Sequence, residues 1–362
     1  MPTVLILGAG KIGSLIATFL AETSEYAVHL GDIESHAPTQ VSHQLVGQGI
    51  KEAVLDATDP KELEKYIQAN HPDVVISSLP YYCNPTVAEV ARRCDIHYFD
   101  LTEDIEVTNR IQEISVGGQR AFVPQCGLAP GFISIVANEL MTHFDSLDTV
   151  KMRVGALPIN PSNVLKYSLT WSTDGLINEY GNVCYGIEGG VKIPLLPLEG
   201  HETIEVDGLL YEAFNTSGGL GTLADTYTGK VQTMNYKTLR YPGHCEKIQF
   251  LMNDLKLNKQ REILKHILEN AIPKTLQDVV LIYVAVIGRK GGELMEENYV
   301  KKIYPQTISG KIWSAIQVTT AASLCSVVDL VFANPIQHQG FITQETFSLQ
   351  SILSNRFGKY FV

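Results

Sequence analysis

Basic residues are in short supply. The 362-residue chain has 28 Lys and Arg against 39 Asp and Glu, a formal net charge of −11. A nucleic-acid binder needs a basic surplus to neutralise phosphates, so this balance argues against nucleic acid as a partner. Small acidic substrates remain open, because local charge holds them. Cysteine is sparse and scattered: the six, at 83, 94, 126, 184, 245 and 325, form no CxxC and no metal-type spacing. That predicts reduced thiols in a cytoplasm and no metal site. The start, MPTVLILGAG, has no basic flank, and its apolar run is too short for a signal peptide. No unbroken apolar run reaches membrane length. Residues 312–333 come nearest, but Gln317, Thr319, Thr320 and Asp329 interrupt them, so a partly buried helix is expected and no membrane partner. Internal repeats and low-complexity segments are absent too. What is present is ordinary for a globular protein: 45% hydrophobic and 19% charged residues, over a length that suits about two domains.

The first third reads as a nucleotide-binding half. Residues 4–7 (VLIL) are wholly apolar and suggest a buried parallel strand. Gly8-Ala9-Gly10-Lys11-Ile12-Gly13 follows at once, and the apolar period then becomes helical, with Ile12, Leu15, Ile16, Phe19 and Leu20 on one face. Glycines at a strand-to-helix turn have separate tasks. Gly8 permits the tight turn, Gly10 lets a pyrophosphate approach the backbone, and Gly13 lets helix and strand pack closely; amides at the helix start, around Lys11 and Ile12, point at the phosphates. A lone GxGxxG is a weak signal, but here a second strand, 26–30, leads to Asp32 about twenty residues past the last glycine. An acid there hydrogen-bonds ribose hydroxyls and repels a 2′-phosphate, and Ile33-Glu34-Ser35 offers no compensating Arg. NAD is therefore expected over NADP.

The alternation continues. Residues 51–55 read as a strand ending at Asp56, and DPKELEKYIQAN (59–70) as a helix with Asp59 as N-cap and Pro60 at its first position. DVVIS (73–77) is another buried strand, with a helix following from about Pro85. Ligands of open parallel sheets sit beyond the carboxyl ends of strands, which makes Asp56, Leu79, Pro80 and Tyr81 cofactor-rim candidates. Residues 98–100 and 121–123 look like further strands; Asp100 is either a rim acid or a cap on a neighbouring turn. CGLAPGF (126–132) marks a sharp turn into an apolar helix, 133–140, and Gly127 offers its amide to the nicotinamide end of the cofactor. Cys126 has no paired base and reads as an inert small residue. Beyond it, 150–157 and 164–171 read as strands, DVVLIYVAVIG (278–288) as a long strand, RKGGE as a hairpin loop and 294–304 as the return. Strands joined by hairpins suggest an antiparallel or mixed sheet in an α+β arrangement. Helices are expected over 311–331 and 347–355.

At this point the sequence resembles the saccharopine dehydrogenase-like amino acid dehydrogenases, most closely their lysine 6-dehydrogenase branch. The resemblance rests on LILGAGKIG, GLAPGFIS, DGLINEY (174–180), EAFNTSGGLGTL (212–223) and YKTLRYPGH (236–244), in that order along nearly the whole length. It implies an α/β fold: a Rossmann-type doubly wound parallel sheet with an inserted α+β catalytic and dimerisation domain, and a homodimer. The expected domains are 1–125 for NAD, 126–310 for substrate and dimer, and 311–362 as helices packing back on the first. It implies an enzyme that oxidises, or makes by reductive amination, a C–N bond in the side group of an amino acid. A carboxynorspermidine-type reductase, or a non-catalytic NAD-binding sensor, is the alternative.

Such chemistry needs a carboxylate grip, a proton acceptor for the ammonium, and a C–H bond aimed at the nicotinamide. The amine's solution pKa is about 10, so little is neutral at pH 7 without a base. NYKTLRYPGHCEKIQFL (235–251) gathers Lys237, Arg240, His244 and Lys247 in an acidic protein. Arg240 suits the carboxylate, since a guanidinium is planar, bidentate and always charged; a structural ion pair is the other reading. Lys237 and His244 are candidates for proton transfer or a second carboxylate contact, and Lys247 for a solvated charge. NTSGGLGTL (215–223) lacks the GK[ST] of a triphosphate loop; Thr216 and Ser217 are candidate substrate donors. Glu179, taken to lie just past a strand, either anchors a substrate ammonium or is a helix-surface acid. Tyr81 either orients the nicotinamide, assists proton transfer, or only packs.

Overall fold

A computed structural model describes residues 1–34 and 49–362, so Ser35 lies outside the described residues. The chain divides into two compact units: Met1–Leu128 with Gln317–Val362, and Ala129–Ile316.

In the first unit the apolar runs form parallel strands: β1 (Thr3–Leu7), β2 (Ala27–Asp32), β3 (Lys51–Val54), β4 (Val74–Ser77), β5 (His97–Asp100) and β6 (Ala121–Val123). With a short last strand at Gly340–Phe341, the sheet runs in the order last-6-5-4-1-2-3, every pair parallel. The order reverses between β1 and β4, the kind of switch point where doubly wound folds take their ligands. Helices α1 (Lys11–Glu22), α2 (Pro60–Asn70), α3 (Asn84–Arg93) and α4 (Ile105–Ser115) cover it. Leu15, Ile16, Phe19 and Leu20 of α1 are buried, as their spacing predicts. Asp59 caps α2, accepting from the Lys61 and Glu62 amides at 2.8 and 3.4 Å.

The second unit holds a mixed sheet. Its strands are β7 (Ser146–Pro158), β8 (Cys184–Glu188), β9 (Val191–Leu195), β10 (Glu202–Val206), β11 (Leu209–Asn215), β12 (Val231–Arg240), β13 (Asp278–Lys290) and β14 (Glu293–Ile303). The main order is 10-11-12-7-13-14; off this path β8 pairs with β12, and β9 with β8. β12 and β7 are parallel, and the other pairs are antiparallel. Helices α5 (Phe132–Met141), α6 (Thr173–Gly181), α7 (Leu223–Tyr227), α8 (His244–Gln249) and α9 (Arg261–Ala271) complete this unit.

Two expectations differ from the structure. Residues 164–171 form no strand. Asn163 brackets Tyr167 instead, its Nδ2 donating to the Tyr167 carbonyl at 2.6 Å and its Oδ1 accepting the Tyr167 amide at 3.3 Å, and Lys166 takes φ +51°. A local side-chain hydrogen bond has displaced the ladder. The helix expected from 311 begins only at Ala315: Lys311–Trp313 pairs with Gln306–Ile308 as a hairpin, and α10 (Ala315–Ala333) follows. The carboxylate of Asp278, first residue of β13, accepts the Ala315 and Ile316 amides at 2.6 and 3.0 Å. The cap comes from nearly forty residues away, so no local cue marks it. Among the described residues α10 alone is long and apolar enough to cross a membrane by length and composition, and most of it is buried inside the protein. After it comes α11 (Leu349–Ser354), and Arg356 ties this segment to the first unit by bonding Asp329 at 2.6 Å and Glu25 at 2.8 Å.

Candidate functional site

The glycine turn after β1 separates three physical roles. Gly8 has φ +97°, and a Cβ there would meet the Ser78 carbonyl oxygen at 2.7 Å, at the end of β4. A Cβ on Gly13 would lie 1.9 Å from the Gly8 carbonyl oxygen. Both positions are closed by the fold itself. Gly10 is different: among the described residues a Cβ there meets nothing within 4 Å. Gly10 is also the N-cap of α1 and has no side chain to accept from the helix start. First-turn amides without an intrahelical acceptor, beside open space, fit a dinucleotide pyrophosphate. Lys11 is exposed and Ile12 half-buried on that turn.

Asp32 closes on the same turn. Its Oδ2 accepts the Ala9 amide at 2.7 Å and its Oδ1 the Glu34 amide at 3.1 Å. A carboxylate oxygen has two lone-pair sites, so both retain capacity for a ribose hydroxyl. Asp56 instead holds its own loop: Oδ1 accepts the Thr58 amide at 2.8 Å and hydroxyl at 2.6 Å, and these bonds lower its pKa. Leu79 and Tyr81 pack half-buried against the core, Pro80 is exposed, and Tyr81 meets Tyr82 edge-on at 5.6 Å. Gly127 is buried. Asp100 is a turn cap, accepting from the Tyr98 hydroxyl at 2.6 Å and from the Thr102 and Gln125 amides at 2.9 and 3.1 Å; burial pushes its pKa up to about 6. Burial likewise drives the Cys126 thiol well above its ordinary value, which leaves it no thiolate character.

The second unit holds a buried polar network. Side chains of a strand alternate between faces. On β12, Tyr236, Thr238 and Arg240 therefore share one face and Lys237 takes the other. The four basic residues of the 235–251 stretch accordingly part company. Lys237 donates to Glu202 at 2.9 Å and to the Gly200 carbonyl at 2.5 Å, and Arg153 bonds the other oxygen of Glu202 at 2.5 Å. Lys247 folds back on the Gly243 carbonyl at 2.5 Å. Arg240 and His244 alone join one network.

Arg240 is 3% exposed. Its Nε donates to the Tyr180 hydroxyl at 2.8 Å, Nη1 to the Leu239 carbonyl at 2.9 Å, and Nη2 to Glu179 Oε2 at 3.3 Å. The guanidinium carbon lies 5.0 Å from the Tyr167 ring centre. Burial opposes its charge, but Tyr180 and Glu179 outweigh burial and hold it charged. Three of its five N–H groups are thus engaged; one on each terminal nitrogen has no partner among the described residues. Glu179, on α6 and not after a strand, also accepts the Thr238 hydroxyl. Thr216 meets Thr238 at 2.7 Å; since the Thr238 hydrogen goes to Glu179, Thr216 donates. Ser217 donates to the Asn178 carbonyl at 3.1 Å. The hydroxyl hydrogens of Thr216 and Ser217 are therefore committed within the unit.

Two contributors escaped the sequence reading. Tyr180 is one. The other is Glu212, which heads EAFNTSGGLGTL: its carboxylate accepts the Gly243 and Cys245 amides at 2.7 and 2.6 Å and so clamps the start of α8, which carries His244. Among the described residues no group of three or more His, Cys, Asp or Glu is placed to hold a metal.

His244 is buried, and burial, with Arg240 next, pushes its pKa down to about 3. An unfolded His titrates near 6.5. Its folded value is depressed, so the stability it contributes is present above about pH 6.5 and lost as pH falls towards 3. The slope is at most about 1.4 kcal/mol per pH unit for one proton. His97, pushed down to about 4 by burial, acts in the same direction. Asp100, raised to about 6, acts oppositely between roughly pH 6 and 4. Denaturant midpoints measured from pH 7 to 4 should fall, and His244→Gln should flatten that fall; an unchanged slope in the variant would contradict a neutral buried His244.

Two family models match the sequence: "Saccharopine dehydrogenase NADP binding domain" over residues 4–117 and "Saccharopine dehydrogenase C-terminal domain" over residues 127–358. Among solved structures, the apo saccharopine dehydrogenase (L-Glu forming) from Saccharomyces cerevisiae aligns with 99% of this chain and 98% of its own, at 16% identity and a TM-score of 0.79. A homospermidine synthase from Legionella pneumophila, in complex with NAD, aligns with 99% of this chain and 89% of its own, at 15% identity and a TM-score of 0.69. At such identities these likenesses show a shared fold.

Proposed function

The chain belongs to the saccharopine dehydrogenase family, and from that premise we propose that it is an NAD-dependent amino acid dehydrogenase, of the lysine 6-dehydrogenase or saccharopine dehydrogenase type, whose target is a C–N bond beyond the α-carbon of its substrate. The observation that carries the substrate class is Arg240: a buried guanidinium with, among the described residues, one N–H on each terminal nitrogen left for an acceptor. A substrate carboxylate matches that pair. The reaction is R–CH2–NH2⁺–R′, with R′ hydrogen in lysine and a second amino acid skeleton in saccharopine, losing a proton to give the neutral amine, whose lone pair then supports departure of hydride to leave R–CH=NH⁺–R′; water converts that to the aldehyde and R′–NH3⁺. The nicotinamide cofactor, when bound, accepts the hydride. The protein's part is to hold the dinucleotide at the glycine turn, grip the carboxylate, and fix the C–H bond in place, since positioning supplies much of the acceleration in such reactions.

The choice of NAD rests on Asp32. The first-unit match is described as NADP binding, which favours a second reading, a carboxynorspermidine-type reductase using NADPH. Asp32 argues against it, because a carboxylate at the ribose repels a 2′-phosphate. Asp32→Ala should shift the NAD:NADP ratio of kcat/KM by about 10- to 100-fold towards NADP, the worth of a hydrogen bond to a charged group. A ratio that stays put would remove Asp32 from cofactor choice.

A fluorescence screen for NADH and NADPH formation, against lysine, saccharopine, ornithine and carboxynorspermidine, tests the function itself. Turnover of lysine or saccharopine with NAD supports the reading. Dinucleotide binding without turnover of any amine would replace it with a non-catalytic sensor. The resemblance also supports a homodimer, which sedimentation at a monomer's mass would overturn.

A further inference from the structure

We propose that Tyr180 and His244 are positioning residues: they hold the Arg240 guanidinium by its Nε edge, so that its two terminal nitrogens receive the carboxylate of an amino acid substrate. This rests on the reading of the protein as an amino acid dehydrogenase. The run of hydrogen bonds has one direction. His244 Nδ1 lies 2.8 Å from the Leu165 carbonyl oxygen, which can only accept, so Nδ1 carries the hydrogen. Nε2 is then the lone-pair nitrogen, and the Tyr180 hydroxyl, 2.9 Å away, donates to it. The Tyr180 oxygen is thereby turned to accept the Arg240 Nε–H at 2.8 Å. Reversing the Tyr180 hydroxyl would set its hydrogen against the N–H of a guanidinium that never deprotonates.

The ring cannot swivel out of this role. It stacks on Phe214 at 6.4 Å with planes 10° apart, and Tyr167 and Tyr180 tilt against it at 5.3 and 5.8 Å. Glu212 clamps the helix start beneath it. The cations bearing on it are Arg240 and Lys247, and both disfavour a second proton. The carboxylates about it are already engaged, Glu179 by Arg240 and Thr238, Glu212 by the two amides of the α8 start. Burial acts the same way as the cations. On this reading His244 sets geometry and does not carry the reaction's proton.

Two experiments decide this. In steady-state kinetics, Tyr180→Phe and His244→Gln should each raise KM for the amino acid about tenfold or more, while dinucleotide Kd and the acid limb of the kcat pH profile stay as in the wild type. A proton carrier would show the opposite: a fall in kcat and loss of that limb in His244→Gln. Nitrogen-15 NMR of the wild-type histidine rings requires no variant to fold. It should find His244 neutral, with hydrogen on Nδ1, down to pH 5; a midpoint near 6.5, or hydrogen on Nε2, would overturn the proposal. If no amine is turned over, the dehydrogenase reading fails on its own, and calorimetry of L-lysine and saccharopine binding decides the positioning role. Binding weakened about tenfold in Tyr180→Phe supports it; equal binding, or none to the wild type, overturns it.

Discussion

Replacing Arg240 by Met should lower kcat/KM for the amino acid by about 10³-fold while leaving the dinucleotide Kd within about twofold. The loss has two parts that can be pulled apart. The first is the carboxylate grip: a bidentate, charge-assisted pair is worth several kcal/mol where water is excluded, and each 1.36 kcal/mol is tenfold in rate. The second is stability. Glu179 is 8% exposed, and Arg240 is its cationic partner. Removing one member of a buried pair leaves an uncompensated charge and costs about 3–5 kcal/mol. Adding Glu179→Gln to Arg240→Met should recover much of that stability, since no charge is then stranded, yet recover none of the activity. If the double variant regained turnover, Arg240 would be an internal ion pair and nothing more. If dinucleotide affinity fell along with activity, the assignment of cofactor and substrate to separate residue sets would fail. Arg240→Lys is a sharper version: the charge stays, Glu179 keeps a partner, and the forked donor is lost. It should keep most of the stability and little of the activity.

The sequence made the first unit legible because its signals are local. An apolar run, three glycines at fixed offsets and a change of period lie within twenty residues, and β1, the turn and α1 form where those signals fall. Asp59 and Pro60 announced α2 in the same way. The second unit was read less well, since its organising bonds span long separations. Asp278 caps a helix start 37 residues on, and Glu212 clamps α8 from 31 residues before Gly243. Neither acid has a local mark that separates it from a surface carboxylate. The 164–171 segment misled because VLKYSLTW alternates like a strand; Tyr167 and Leu169 are indeed buried, but in an irregular loop whose bonds Asn163 and the Pro273 carbonyl supply. The basic stretch 235–251 held a clue that composition hides. Once Lys237 to Arg240 is taken as a strand, an odd separation of three places the two on opposite faces. Arg240 then shares its face with Thr238, and Lys237 does not.

Gly10→Ala and Gly13→Ala should have opposite profiles, and the contrast isolates the ligand from the fold. At Gly13 an added Cβ would sit 1.9 Å from the Gly8 carbonyl oxygen and 3.1 Å from its carbon. Both are backbone atoms of a turn already pinned by the Gly8 amide's bond to the Gly31 carbonyl at 2.8 Å. Neither side can yield, so helix and strand must part; a cost of about 3 kcal/mol or more is expected, at the upper end of overpacking. Dinucleotide binding should vanish with it. At Gly10 the backbone is already compatible with alanine, φ −67° and ψ −169°, and the added Cβ meets no atom of the described residues within 4 Å. The unfolded state loses some freedom, so stability should hold or rise by about 0.4–1 kcal/mol. The methyl would nevertheless stand where the pyrophosphate must approach the backbone. Dinucleotide Kd should therefore rise about tenfold or more in a protein at least as stable as the wild type. Calorimetric titration with NADH beside thermal unfolding reads both quantities. Equal affinity in Gly10→Ala would mean that the open space beside this glycine holds no phosphate. A Gly10→Ala variant as unstable as Gly13→Ala would mean that the turn is closed by its own packing throughout, and the glycine pattern would then be a matter of folding alone.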